Sequence, residues 1–161
     1  MNNIVKKSIN LIKAKFITYT NQPITRMKSF KELNVYQDSI TFVAKIYGLT
    51  SQFPKSELFG ITNQIRRSAV SIPSNIAEGS ARNHPKEHIQ FLYIALGSAT
   101  ELYAQLEISF RLKFITSEEY QTTSTSIESI CRMLQGMIKF QKSKLIAKTP
   151  KPLTSSSNLQ L

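Results

Sequence analysis

The chain has 161 residues and carries 21 lysines and arginines against 10 acidic side chains, a formal net charge of +11. That length makes one domain with a real core, and scarce glycine with no sustained apolar alternation excludes a β-rich fold in favour of an all-α one. A single cysteine excludes an internal disulfide and fits a reducing, cytoplasmic setting, and no apolar run approaches the ~20 residues of a membrane span.

The basic charge is uneven. Residues 1–29 hold Lys6, Lys7, Lys13, Lys15, Arg26 and Lys28 with no acid, and residues 143–161 add Lys144, Lys148 and Lys151. Between them, residues 30–142 have 12 basic and 10 acidic side chains and are nearly neutral. Three segments follow: a flexible basic extension over 1–29, a folded body over 30–142 and a disordered tail over 143–161. Ile4, Ile9, Ile12 and Phe16 space a weak basic amphipathic helix in the extension, but Lys13 and Lys15 interrupt it too early for a secretory signal. An alternative start at Met27, or a disordered extension, is the simpler reading. Basic tails attract nucleic acid by phosphate neutralisation, or merely keep a protein soluble.

The first predicted helix starts after Asn34 as N-cap, with Gln37 completing a capping box. Tyr36, Ile40, Val43 and Tyr47 form its expected inner stripe, and Phe53-Pro54 ends it. The second runs from between Pro54 and Ile61 to Glu78. Ile61, Ile65, Ala69, Ile72 and Ile76 recur at three and four, Pro73 lies inside, and Gly79 is expected to stop the helix with a positive φ. After a polar turn, the third begins at Asn83 or His84, with Pro85 suited to its first turn. Leu92, Leu96, Ala99, Tyr103, Leu106 and Phe110 make a heptad seam, and Phe91, Ala95, Ser98 and Leu102 make a second stripe that calls for more than one neighbour. Thr116-Ser117-Glu118-Glu119 is a capping box with Ile115 and Tyr120 as staple, opening a fourth helix through Ile127, Ile130, Leu134 and Met137. Short connections between helices of roughly 20–27 residues predict an antiparallel up-down-up-down bundle.

Little of this resembles an active site. His84-Pro85-Lys86-Glu87-His88 matches H-x-x-E-H, yet His84 falls where a helix cap is wanted and no third histidine exists, so capping is preferred to zinc. Cys131 reads as a small helical core residue, and the glycines are too scattered for a phosphate loop. No catalytic residue, metal or cofactor is expected. Arg66 and Arg67 point about 100° apart on a helix, so they divide their roles. One is expected to bridge to Glu101 or Glu107 of the third helix; Asn75 and Glu78 join the same structural network. The other arginine is free for phosphate, and Arg67, Arg82, Lys86, Arg111 and Lys113 are the candidate nucleic-acid contacts, without an aromatic platform beside them.

With Phe53-Pro54-Lys55 and Phe59-Gly60-Ile61-Thr62 before it, the stretch Gln64–Gly79 resembles the signature of the four-helix bundle family of 23S rRNA intervening sequences, often called S23 ribosomal proteins. A related branch contains accessory variability proteins of diversity-generating retroelements. The resemblance runs in order from Phe30 to about Lys142. Tyr36 stands where relatives often have tryptophan, and relatives commonly carry serine or threonine near His84. It implies a homo-oligomer, a pentamer around a central pore, and a non-enzymatic role as an adaptor engaging RNA or DNA. In the retroelement branch it implies association with a reverse transcriptase and its RNA. The alternative is a pure protein-interaction module without nucleic-acid affinity.

Overall fold

The computed structural model describes residues 30–148. The expected amphipathic helix over 1–26 and the tail beyond 148 lie outside them. Four α-helices carry the fold: α1 (Asn34–Thr50), α2 (Ile61–Ser80), α3 (Pro85–Arg111) and α4 (Ser117–Lys148). Short 3-10 turns precede α1 (Phe30–Glu32) and α2 (Lys55–Glu57). Each helix packs on two others, α1 on α2, α2 on α3, α3 on α4 and α4 back on α1, while the backbones of diagonal helices stay farther apart. That closed ring is a four-helix bundle.

Residue pairs give the directions. Between α2 and α3, Ser71 Oγ meets Ser98 Oγ at 2.8 Å, while Gly79 sits against His88 and Phe91. Between α3 and α4, Lys142 Nζ donates to Tyr93 Oη at 2.7 Å, Tyr103 Oη donates to Glu128 at 3.3 Å, and Tyr120 donates to Glu107. Numbers rise on one helix as they fall on the other, so both pairs are antiparallel.

The core is the expected one for α2 to α4. Ile65, Ala69, Ile72 and Ile76 are buried against Leu92, Ala99 and Leu106, with Ile127, Ile130 and Leu134 from α4. Pro73 is accommodated within a continuous α2. The two α3 stripes are both used inside the chain: Ala95, Ser98 and Leu102 are buried beside Leu92 and Ala99. Phe91, the first residue of the second stripe, is partly buried beside Gly79 and under Arg82.

Four expectations need correction. In α1 the buried residues are Val35, Ser39, Phe42, Ile46 and Thr50, one position off the expected stripe, and Ile40 and Tyr47 are exposed. Ser39 and Thr50 tolerate burial because their hydroxyls donate to the carbonyls of Tyr36 (2.7 Å) and Ile46 (2.8 Å). Asn34 is the first helical residue, with Leu33 at the cap; Gln37 reaches back to the Lys31 carbonyl at 2.5 Å, so there is no capping box. Gly79 does not stop α2. It is buried inside the helix with no positive φ, and an added Cβ would lie 2.8 Å from Phe91 Cβ and 3.2 Å from His88 Cδ2. Its smallness serves close helix packing. Finally, α4 continues to Lys148, because Leu145, Ile146 and Ala147 sustain a helix and no breaker intervenes after Lys142.

The box at the start of α4 forms as expected. Glu119 N–H donates to Thr116 Oγ1 at 3.2 Å and Thr116 N–H donates to Glu119 Oε2 at 2.7 Å. Ile115 is buried and Tyr120 packs on the core.

Candidate nucleic-acid interface

The local sequence before α2 separates two phenylalanines. Phe53 is buried and its ring lies 5.5 Å from that of Phe114, anchoring the connection. Beyond Pro54 the chain turns through Lys55–Glu57, and the Glu57 carboxylate accepts the Ile61 N–H at 3.3 Å, a negative charge at the positive helix end. Between these fixed points Phe59 faces solvent, 87% exposed.

From there one ridge runs down α2. Asn63, Arg67 and Val70 or Ser71 follow at helical spacing, and together with Phe59, in the loop before the helix, they line one groove of about 1040 Å³. Tyr47 closes it from α1, and Ser98 and Glu101 close it from α3. Arg67 is exposed there and forms no ion pair among the described residues. Thr62, at the same groove, is 2% exposed and its Oγ1 has no hydrogen-bond partner.

Arg66 faces away from the role expected for it. Its Nε donates to Thr50 Oγ1 at 2.8 Å and its guanidinium lies 4.8 Å from the Tyr47 ring centroid, so it ties α2 to the end of α1. Neither glutamate of α3 receives it: Glu101 accepts Gln105 Nε2 at 2.9 Å, and Glu107 accepts Arg111 Nε at 2.7 Å together with Tyr120. The bridge fails because Arg66 lies on the α1 side of α2. Asn75 does join a network, donating to Ser71 carbonyl and hydroxyl oxygens at 2.8 and 3.0 Å beside Ser98. Glu78 binds Arg82 one turn along.

The five candidate contacts fall in three places. Arg67 sits in the groove. Arg82 and Lys86 lie at the α2–α3 connection, where Arg82 is held by Glu78 and stacks 4.7 Å from the Phe91 ring centroid. Arg111 and Lys113 lie at the other end of α3, a helix of 27 residues, hence about 40 Å away. Arg111 is paired with Glu107, and Lys113 takes φ 61° as the chain leaves α3. They do not make one continuous patch.

His88 is pushed below the ordinary histidine value by burial, with Nε2 unpartnered beside Gly79; exposed His84 gives no side-chain cap, contrary to expectation. Burial first, then Glu128, raises the Cys131 thiol. Among the described residues no three His, Cys, Asp or Glu side chains gather as a metal site, and no helix is long and apolar enough to cross a membrane.

Sequence reading overlooked Phe59, Tyr47, Asn63, Gln64 and Thr62. The signal was the spacing of Phe59, Asn63 and Arg67 across a predicted helix start. The groove does supply the aromatic side chains that reading held to be missing.

Residues 31–136 match the 23S rRNA-intervening sequence protein family. The chain belongs to that family. The fold agrees: a crystal structure of a protein with unknown function from the S23 ribosomal protein family of Bacteroides thetaiotaomicron VPI-5482 superposes with a TM-score of 0.62 at 31% identity, covering 65% of this chain and 95% of that one. No curated protein matches the sequence.

Proposed function

We propose that this family member is a non-enzymatic adaptor that binds RNA through the α2 groove and acts as an oligomer, the pentamer its family resemblance implies. The observation that carries this reading is the meeting of unpaired Arg67 with Phe59, Asn63 and Gln64 in one open groove of about 1040 Å³. An arginine supplies phosphate contact, amides supply base-edge hydrogen bonds and an aromatic ring supplies stacking. The partner is RNA itself or RNA held by a protein such as a reverse transcriptase. The raised Cys131 thiol supports the non-enzymatic half, since it is not poised as a nucleophile.

Binding of a labelled structured RNA, titrated over salt with the full chain, tests it. A linear fall of log affinity with log salt is the expected result. Absence of binding at low salt would overturn it.

A second reading rests on a different surface. Tyr93, Leu96, Ile138 and Ile146 line a groove of about 490 Å³ between α3 and α4, and Ile146 is 75% exposed. Exposed apolar surface of this kind fits a protein partner. Light scattering on the full chain bears on it: a monomer at micromolar concentration removes the oligomer.

A further inference from the structure

We infer that the α2 groove is a slot for an unpaired nucleotide, so that the protein selects single-stranded over duplex RNA. This rests on the RNA-binding reading above and specifies its ligand.

The argument begins with Phe59. A phenylalanine 87% exposed contributes little to the fold, and its place is held by anchors on both sides, buried Phe53 and the Glu57 bond to Ile61 N–H. An aromatic face presented this way accepts a base only if that base is unstacked from its neighbours and unpaired. A duplex offers no such face in mid-helix. Arg67 lines the same groove from α2, on the side where the phosphates that flank a stacked base would pass. Its neighbour Arg66 also lines the groove, but it is bonded to Thr50 and lies over Tyr47, which leaves Arg67 as the guanidinium without a bonded partner among the described residues.

The groove also has groups suited to a base edge. Asn63 and Gln64 each present an amide with both donor and acceptor, and Glu101 adds an acceptor from the α3 wall. Thr62 Oγ1, buried and unpartnered, is the hydroxyl that a ligand reaching the groove wall would satisfy. Glu101 limits the positive charge beside Arg67, which disfavours a slot that works by attraction to phosphate alone. The mixture of aromatic, amide, guanidinium and carboxylate groups favours a nucleotide over an acidic peptide, for which exposed amides and a carboxylate would be poor partners.

The test compares the full chain and its Phe59→Ala and Arg67→Gln variants by fluorescence anisotropy. The probes are a labelled twelve-nucleotide single-stranded RNA and the same strand annealed to its complement. Expected is a preference for the single strand, a loss of about tenfold for Phe59→Ala on the single strand only, and a loss on both probes for Arg67→Gln. A 2-aminopurine in the strand should change its fluorescence on binding the wild-type protein and fail to do so with Phe59→Ala. If the wild type binds both probes equally and Phe59→Ala changes nothing, the slot is overturned while RNA binding stands. If the wild type binds neither probe, the RNA-binding reading itself fails. Light scattering on Phe59→Ala completes the test: a change in oligomeric state would overturn the slot by making this groove a contact between copies.

Discussion

The phenol of Tyr120 on α4 donates a hydrogen bond to the Glu107 carboxylate on α3, while its ring stacks on Phe110 with centroids 4.8 Å apart. That bond, followed by the one from Arg111, holds the Glu107 carboxyl below its ordinary 4.5. The same bond pushes the Tyr120 phenol up to about 12. A depressed carboxyl stabilises the fold above its unfolded value and loses that contribution as pH falls through the folded one. A raised phenol does so below 10.0 and loses it as pH rises towards about 12. Denaturant unfolding of wild type and Tyr120→Phe should therefore differ most between these limbs, in favour of wild type, and converge on both. An ultraviolet titration should find one tyrosine ionising late and lose it in the variant. A stability difference independent of pH would contradict the pair.

Gly79 and Gly97 make a contrasting pair. A methyl at Gly79 would meet Phe91 Cβ at 2.8 Å, and a Cβ cannot swing aside, so Gly79→Ala should lower stability by about 1–3 kcal/mol despite its helix-propensity gain. Nothing lies within 4 Å of a Cβ at Gly97 or Gly136. Gly97→Ala and Gly136→Ala should each raise stability by about 0.5–1 kcal/mol. Thermal melts of the three variants decide this, and equal signs would refute the packing role of Gly79.

Thr116 caps α4 reciprocally with Glu119. Thr116→Ala should cost about 1 kcal/mol in chemical unfolding, while Thr116→Ser should cost little because the hydroxyl remains. Equal losses for both would mean that the cap is not the source.

Arg67 and Arg111 differ in what already holds them. Arg111 is paired with Glu107, Arg67 with no acid among the described residues. Arg67→Gln should reduce the salt slope of RNA binding by about 1, and Arg111→Gln should change it less. The reverse order would move the interface to the end of α3.

The bundle was legible because α2, α3 and α4 carry their apolar residues at unbroken helical spacing and Thr116 to Glu119 marks a start by itself. In α1 the pattern misled, since its buried face includes Ser39 and Thr50, whose hydroxyls are satisfied by their own helix. Gly79 read as a stop because glycine commonly ends helices, whereas its neighbours across the interface decide its role. Arg66 does not bridge to an α3 glutamate; its partners on α1 are a threonine and a tyrosine, types that a search for opposite charge passes over. The groove escaped because it combines three helices with a loop residue, Phe59, whose exposure no helical periodicity signals.

Ser71, Asn75 and Ser98 form a polar stitch across the α2–α3 seam, and Gly79 against Phe91 fixes a second point farther along it. Sliding one helix past the other by a turn, about 5.4 Å, would break the Ser71–Ser98 hydroxyl bond and drive Phe91 off its glycine seat. The seam thus has a single permitted register. Ser71 and Ser98 also border the groove, so the spacing between its α2 and α3 walls is keyed to that register, and whatever enters meets a gauge already set.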